Sequence, residues 1–336
     1  MQAGRHQYIE RDTMLIKTEK LYGDRIIDFI YSREREKAST LYSALTSSRV
    51  CGLLSFFVYD LSFLPRITGA KKFIKSSGID LSECVDDPDS LVNLRDVFER
   101  KIRYWETRPM PDDPKAIVSP ADARVLLGSF AETSQIFLKG KFFDFEELLS
   151  PHKKTWLDAF DGGDFAVFRL TPEKYHYNHT PVSGKVLDIY EIPGSYYPCN
   201  PTVAINVATP CSKNKRVVTV IDTDIDGGTG AGLVAMVEIV ALMIGDIVQC
   251  YSDHRYDLPR DIKRNAFLRK GQPKSLYRPG SSTDILLFQK SRVSFSDDLI
   301  ENMYRQGIES RFSRGFGRSL VETDVKVRSK IATANR

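Results

Sequence analysis

The pattern of apolar and polar positions divides the chain into a helical first part and a strand-rich second part. From about residue 24 to residue 79, apolar residues recur at mixed spacings of three and four, and a second helical stripe runs through residues 91–105. Beyond Pro114 the chain consists of short β-rich runs separated by turn residues, among them ARVLLGSF, FAVFRL, GKVLDIYEI and RVVTVIDT. Short strands at this spacing predict antiparallel sheets.

Three later segments refine this picture. Residues 233–244, LVAMVEIVALMI, fit either a buried strand or a buried helix, because a short apolar run does not separate the two. Apolar residues at helical spacing after Asp297 predict a helix. The last residues are polar, and we expect them to be loose.

These patterns predict an α+β protein with a predominantly antiparallel, barrel-like β core. We place the core at residues 91–312, after an N-terminal helical, membrane-associating region at residues 1–90 and before a polar C-terminal tail at residues 313–336. A chain of 336 residues is long enough for one large domain or two ordinary ones.

The most apolar early stretch, residues 51–64, bears on membrane association. It falls short of the roughly 20 residues that span a bilayer, and Asp60 interrupts it, so we do not expect it to cross a membrane. It could lie in the membrane interface with Phe56 and Phe57 toward the acyl chains, or it could be a buried core helix. The first residues contain no apolar stretch resembling a secretory signal.

Charge and cysteine content narrow the possible partners. The net charge of +4 is too small to indicate nucleic-acid binding without a concentrated basic face. The five cysteines include no CxxC pair, which indicates reduced thiols and argues against a zinc site. The run VVTVIDTDIDGGTGAG lacks the spacing of a dinucleotide-binding or P-loop motif, so we interpret its glycines as a hairpin loop.

Three segments carry candidate chemistry, although each has an ordinary explanation. His176 and His179 lie three residues apart in YHYNHTP, and imidazole is suited to proton transfer near neutral pH, but loop histidines are common. Asp122 in SPADA is by itself a typical turn residue. In RPGSSTDILLF, Ser281 and Ser282 follow a glycine and lead into a buried strand, which also describes a simple tight turn.

Taken together and in order, these segments resemble the phosphatidylserine decarboxylase proenzymes, a family of pyruvoyl enzymes. The resemblance covers roughly residues 90–312. It rests on six motifs: VFERKIRYWETRP (residues 97–109), SPADA (119–123), YHYNHTPVSG (175–184), NKRVV (214–218), IVALMIGDI (239–247) and the segment at residues 270–288. The sequence departs from the family pattern at several positions, including Ala123, Ser281 and Asp284.

The resemblance implies a role for each candidate residue. Ser282 matches the serine that becomes the covalent pyruvoyl cofactor, and the match at Thr283 favours Ser282 over Ser281. Asp122 and His179 match the partners of that serine in a protease-like triad for self-cleavage. His176 matches the first histidine of the pair, which lies near the substrate.

Cleavage between Ser281 and Ser282 would give a large chain of residues 1–281 and a small chain of residues 282–336 that stay associated. The implied reaction converts phosphatidylserine to phosphatidylethanolamine and CO2 through a Schiff base, without metal or nucleotide. The family further suggests a homodimer and a peripheral location on the cytoplasmic face of the cell membrane. Two alternatives remain open: a pyruvoyl decarboxylase of a soluble amino acid, and a non-cleaving lipid-binding homologue.

Overall fold

Strands account for most of the regular structure in the computed structural model, which describes residues 6–19, 70–130, 143–196, 209–241, 246–279 and 282–335. The strands are β1 Gln7–Glu10, β2 Ile16–Thr18, β3 Ala116–Val118, β4 Ala123–Ser129, β5 Asp164–Leu170, β6 Tyr177–His179, β7 Gly184–Ile192, β8 Arg216–Asp222, β9 Leu233–Val240, β10 Ile247–Gln249, β11 Phe267–Leu268, β12 Pro273–Tyr277, β13 Ser282–Phe288, β14 Val293–Phe295, β15 Thr323–Val325 and β16 Lys330–Ala334. The α-helices are α1 Ala70–Ser77, α2 Leu94–Phe98, α3 Tyr104–Thr107, α4 Phe145–Leu149, α5 Lys154–Phe160, α6 Pro210–Lys213, α7 Asp297–Met303 and α8 Arg311–Phe316.

The strands form one large sheet and two small ones. The large sheet has the order β11-β7-β8-β9-β13-β5-β4-β15-β1-β2, and the small sheets have the orders β10-β12-β6 and β14-β16-β3. Neighbouring strands run antiparallel except for β1 and β15, which are parallel. The predicted antiparallel α+β core is therefore confirmed.

The barrel-like closure that we expected is wrong for the described part of the chain. A barrel requires its first and last strands to pair. Here the sheet ends at β11, which has only two residues, and at β2, whose three residues are all exposed. The ten strands therefore form an open sheet.

Strand β13 lies in the middle of this sheet. All seven of its residues pair with β5 on one side and with β9 on the other. All seven are also buried, which explains why its sequence continues as an unbroken apolar run after Asp284 instead of alternating.

The ambiguous and terminal segments have definite structures. Residues 233–240 form strand β9, paired on both edges, and the predicted helix after Asp297 is confirmed as α7. The expectation of a loose C-terminus is wrong, because residues 323–325 and 330–334 form β15 and β16. The polar residues that suggested a loose tail include Glu322, which pairs with Arg169 on β5, and Asp324, which pairs with Lys174 in the connection after β5.

The N-terminal region is only partly described. Residues 7–10 and 16–18 are strands of the large sheet instead of helices, and α1 is the first helix described. The stretch at residues 51–64 lies outside the described residues. Within the ranges that are described, no helix has the length and hydrophobicity of a membrane span. The stripe at residues 91–105 forms two short helices, α2 and α3, instead of one.

A buried ionic cluster attaches the N-terminal strands to the rest of the sheet. The guanidinium of Arg169 binds both oxygens of Glu19 and both oxygens of Glu322 at 2.6–2.9 Å. Arg124 adds a second contact to Glu19 at 2.6 Å. Burial by itself would raise the pKa of Glu19, but the charges of Arg169 and Arg124 outweigh it and lower the pKa to about 2.

Glu19→Gln tests how much this cluster stabilises the fold. The pKa of Glu19 is 4.5 without these partners and about 2 in the fold. The stabilisation that the ionised Glu19 contributes is therefore full above pH 4.5 and is lost as the pH falls toward 2. We expect the substitution to lower the free energy of unfolding by about 3 kcal/mol at pH 7 and to reduce its dependence on pH below 4.5.

The measurement is urea unfolding at several pH values, with Ser282→Ala present in every variant so that the expected self-cleavage does not interfere. Glu309→Gln is the matched control. Its pair with Arg314 is more than half exposed on both sides, so the change should be below about 0.5 kcal/mol. Equal effects of the two substitutions would contradict a stabilising role for the cluster.

Candidate functional site

Backbone hydrogen bonds bring the separate sequence motifs together. The turn at residues 119–122 lies against β6, because the amide of His179 donates to the carbonyl of Pro120 at 2.7 Å. The amide of Gly271 donates to the backbone carbonyl of Thr180 at 2.8 Å, and the amide of Tyr277 donates to the backbone carbonyl of His176 at 3.0 Å. The segments that carry Asp122 and the two histidines therefore form one region with residues 271–277, which lead into the segment of Ser282.

The first motif, residues 97–109, packs over this region. Three residues of this motif each contact one of the predicted site residues. The ring of Phe98 lies against His176 at a tilt of 33°, with centroids 3.8 Å apart, and the ring of Tyr104 meets His179 edge-on at 4.6 Å. Arg108 forms a buried ion pair with Asp122 at 2.8 Å. These contacts help to bury both histidines, which are fully inaccessible from the protein surface.

His179 is held by hydrogen bonds at both ring nitrogens. Nδ1 lies 2.9 Å from the carbonyl oxygen of Gly271, which can only accept, so Nδ1 must carry a proton. Nε2 lies 3.0 Å from the hydroxyl of Tyr175. Burial lowers the pKa of His179 to about 3 and outweighs the hydrogen bond to Gly271, which raises it; the nearby Arg328 charge lowers the pKa further. The ring is therefore neutral at physiological pH, with a lone pair at Nε2.

The carbonyl that orients His179 depends on a glycine. Gly271 has a φ of +75°, and a Cβ at this position would lie 2.4 Å from the sulfur of Met110. A side chain would therefore be strained in its backbone conformation and would also clash. Replacing Gly271 should move the carbonyl that fixes the tautomer of His179.

Asp122 is also held firmly, but not by His179. Its carboxylate oxygens accept hydrogen bonds from Arg108 at 2.8–3.2 Å and from the amide of Val327 at 2.8 Å. Burial would raise the pKa of Asp122, and the Arg108 charge reverses the effect and lowers it. In the triad that the resemblance implies, Asp122 would orient the imidazole of His179, whereas in this structure the carbonyl of Gly271 does so. The carboxylate nevertheless adds negative charge near the ring.

His176 makes few polar contacts. Neither ring nitrogen forms a hydrogen bond with another described residue, although the ring is fully buried. Burial and the charge of Arg100 lower its pKa to about 3, and the Lys174 backbone, close by but not at hydrogen-bonding geometry, raises it slightly. Buried polar groups in native structures are usually paired, so an unpaired imidazole indicates a place for a ligand or a water molecule.

Ser282 begins strand β13 and is also fully buried. Its Oγ has no hydrogen-bond partner among the described residues, while its backbone pairs opposite Leu170 and Val240. Short connections lead from these strands to the histidines: five residues separate Leu170 from His176, and Tyr277 contacts His176 four residues before Ser281. Gly280 and Ser281 lie outside the described residues.

The residues beside Ser282 form a polar network that sequence reasoning missed. Glu238 on β9 forms a fully buried ion pair with Lys274 at 2.6 Å and also contacts Gln249 and Ser275. Arg108, Tyr175 and Gly271 were likewise missed, although all three lie inside the recognised motifs. A backbone carbonyl such as that of Gly271 leaves no side-chain signal in a sequence.

A cleft of about 470 Å³ opens beside Asp122 and Tyr175, and charged side chains of both signs line it. Among these are Arg100, Lys174, Glu173 and Asp324. A separate group, His6, Glu19 and Glu322, has the spacing of metal ligands, but Arg169 already neutralises both of its carboxylates. We therefore interpret that group as part of the ionic cluster.

The tautomer and charge of His179 can be measured directly. We expect its ring to be protonated at Nδ1 only and to remain neutral down to about pH 4, because its pKa is about 3. ¹⁵N NMR of histidine-labelled protein carrying Ser282→Ala reports both properties, and His179→Gln identifies the signal. An Nε2-protonated tautomer, or titration near pH 6.5, would contradict this geometry.

Comparisons with known proteins agree with the motifs. The sequence model of the family described as "Phosphatidylserine decarboxylase" matches residues 94–313. A protein of Fusobacterium nucleatum named phosphatidylserine decarboxylase proenzyme is 31% identical over 92% of this chain and 95% of its own length. Proteins with the same name from Saccharophagus degradans and Ruminiclostridium cellulolyticum are 30% identical over 70% of this chain (83% of that protein) and 27% identical over 92% (95% of that protein). The chain belongs to the phosphatidylserine decarboxylase family.

Proposed function

We propose that this chain cuts itself before Ser282, converts that serine to a pyruvoyl group and uses it to decarboxylate phosphatidylserine to phosphatidylethanolamine. The observation that carries the proposal is the environment of Ser282. Its hydroxyl is fully buried and has no partner among the described residues, at the start of a strand bordered by the segments that lead to both histidines. A serine that served only packing would ordinarily have its hydroxyl hydrogen-bonded.

Self-cleavage would begin with attack of Ser282 Oγ on the carbonyl carbon of Ser281. The C–N bond breaks as the C–O bond forms, and the hydroxyl proton reaches the released amine of residue 282 through a base. Removal of the α-proton of residue 282 then expels the carboxylate of Ser281 and leaves dehydroalanine. Its enamine tautomerises to an imine, and water hydrolyses this to a pyruvoyl group and ammonia.

The geometry of His179 suits the role of that base. It is neutral, and its lone pair is at Nε2, where Tyr175 is now the donor. Accepting the proton of Ser282 requires Nε2 to exchange the hydroxyl of Tyr175 for that of the serine. Asp122 stabilises the imidazolium at a distance through its negative charge, because its own hydrogen bonds go to Arg108 and Val327.

In the decarboxylation, a pyruvoyl group at residue 282 would supply the electron sink for loss of CO2. Ser282 fits this group, because its side chain lies unpaired in a buried polar region. His176 is neutral in the protein as described, and an anionic substrate group beside it would raise its pKa and make it a proton donor. The nearby cleft, lined by charges of both signs, is suited to a headgroup that carries an amine, a carboxylate and a phosphate.

Ser282→Ala tests the proposal most directly. We expect the purified wild-type protein to give two masses under denaturing conditions, cut between residues 281 and 282, with a pyruvoyl mass at the start of the smaller chain. The Ser282→Ala chain should remain whole, because it lacks the nucleophile. Ser281→Ala is the matched control and should still be cut, because residue 281 contributes only its backbone carbonyl.

The purified wild-type protein should then release CO2 from phosphatidylserine in mixed micelles, and Ser282→Ala should not. A single uncut wild-type chain would overturn the pyruvoyl mechanism and favour a non-cleaving lipid-binding homologue. Cleavage with activity on free serine but not on phosphatidylserine would favour the decarboxylase of a soluble substrate.

We further propose that the protein acts as a peripheral protein on the cytoplasmic face of the cell membrane. The support is the lipid substrate, together with the apolar stretch at residues 51–64 and the lysines that follow it. Phe56→Glu with Phe57→Glu should lower binding to anionic phospholipid vesicles at least fivefold in a sedimentation assay. Leu258→Glu, at an 88% exposed leucine elsewhere, is the control and should change binding little. If the double substitution at Phe56 and Phe57 binds vesicles as well as the Leu258→Glu control, residues 51–64 have no role in membrane binding.

A further inference from the structure

The hydroxyl of Tyr277 lies between two strands of the large sheet, next to the predicted cleavage site. Its oxygen accepts a hydrogen bond from the amide of Ile239 on β9 at 3.0 Å. It also lies 3.1 Å from the carbonyl oxygen of Thr283 and 2.7 Å from Oδ1 of Asp284, both on β13. Thr283 and Ile239 are opposite each other in the sheet, so the hydroxyl bridges a pair of backbone groups from adjacent strands.

The three contacts of the Tyr277 hydroxyl are compatible with only one arrangement of protons. The hydroxyl has one proton to donate and two lone pairs that accept. The amide of Ile239 uses one lone pair, and the carbonyl of Thr283 can only accept, so it takes the hydroxyl proton. The contact to Asp284 is then a hydrogen bond only if the carboxyl group is protonated and donates to Tyr277. An ionised Asp284 would compete with Thr283 for the same proton.

The surroundings of Asp284 favour the protonated form. The side chain is fully buried, and its Oδ2 has no hydrogen-bond partner among the described residues. Glu238 lies directly opposite on β9, and Phe168 lies opposite on β5. Burial and then the Glu238 charge raise the pKa of Asp284 well above its usual value, against smaller opposing effects of Tyr277 and Lys274. The charge of Lys274 is itself paired with Glu238 at 2.6 Å.

We propose that Tyr277 and the protonated carboxyl group of Asp284 form a positioning pair that holds the carbonyl of Thr283, and with it residue 282, in place for self-cleavage. Thr283 directly follows the serine that would become the pyruvoyl group, so fixing its carbonyl limits the rotation of the bonds on either side of it. After cleavage, Tyr277 belongs to the large chain and Thr283 and Asp284 belong to the small chain. The pair then locates the new end of the small chain on the large one.

This inference rests on the proposed function, because it assigns a role in cleavage at Ser282. It also predicts a pH dependence with a definite sign. As the pH rises and Asp284 ionises, the hydroxyl of Tyr277 turns to the carboxylate, and Thr283 loses its donor. Cleavage should therefore slow on the alkaline side, where His179 remains an unprotonated base.

The experiment follows cleavage of the full chain after a pulse of cell-free translation, with the chase at pH values from 6 to 9.5. Tyr277→Phe removes the hydroxyl and should slow cleavage about tenfold at every pH. Asp284→Asn supplies an amide donor to Tyr277 that does not titrate. It should cut within about twofold of the wild-type rate at pH 7 and lose the alkaline decline.

Tyr190→Phe is the matched control, because it removes a tyrosine hydroxyl that donates to the carbonyl of Leu149 at 2.8 Å, away from the site. It should cut at the wild-type rate, which separates a positioning effect from a general loss of stability. If Tyr277→Phe does not fold, the pH profile of Asp284→Asn alone decides the question.

The failure of this inference can be distinguished from failure of the proposed function. An uncut wild-type chain overturns the proposed function and this inference with it. If the wild-type chain is cut and the Tyr277→Phe chain is cut at the same rate, only the positioning pair is overturned. The same holds if Asp284→Asn keeps the alkaline decline of the wild-type protein.

Discussion

The pairing of β13 with a strand on each side is the constraint on which the rest of the structure depends. Seven consecutive residues bond to β5 and to β9, so the chain that follows the site cannot shift without breaking two ladders at once. Buried backbone groups that lose their partners are costly, which makes such a strand rigid. Ser282 occupies the first position of this strand and inherits that rigidity.

The two faces of β13 have different polar environments. Alternate residues point to opposite faces, so Thr283 shares a face with Arg169, and through it with the ionic cluster of Glu19 and Glu322. Ser282 and Asp284 point to the other face, with Glu238 opposite Asp284. On the first face Arg169 is paired with Glu19 and Glu322, and on the second Glu238 is paired with Lys274. Unpaired polar atoms remain on three consecutive residues of β13, Ser282, Thr283 and Asp284. Burial without full pairing is the condition in which pKa values shift most, and such shifts are typical of functional sites.

Much of this organisation could be predicted from the sequence, because strands and motifs leave local signals. The β-rich runs gave the antiparallel core, and the six ordered motifs led to the family and to the region of the site. What could not be predicted depends on contacts between distant residues. The polar C-terminal residues form strands that pair with β4, β1 and β3, and beside them Glu322 meets Arg169, which lies 153 positions earlier. His179 is oriented by a backbone carbonyl 92 positions away. Because every residue has such a carbonyl, the sequence alone does not indicate this contact.

The order of strands in the sheets affects whether the molecule can refold before and after cleavage. Residues 282–288 and 323–325 lie between strands from before residue 282 in the large sheet, and residues 293–295 and 330–334 complete a small sheet with β3. These sheets can therefore assemble readily only while the polypeptide is continuous. Once the chain is cut, folding changes from a unimolecular process into a second-order encounter of two fragments, whose rate falls with dilution. We therefore expect the uncut precursor to refold from denaturant at any concentration, while the cut protein, once unfolded, is effectively lost. The persistence of the mature protein would then be set by how slowly it opens and not by how well it refolds.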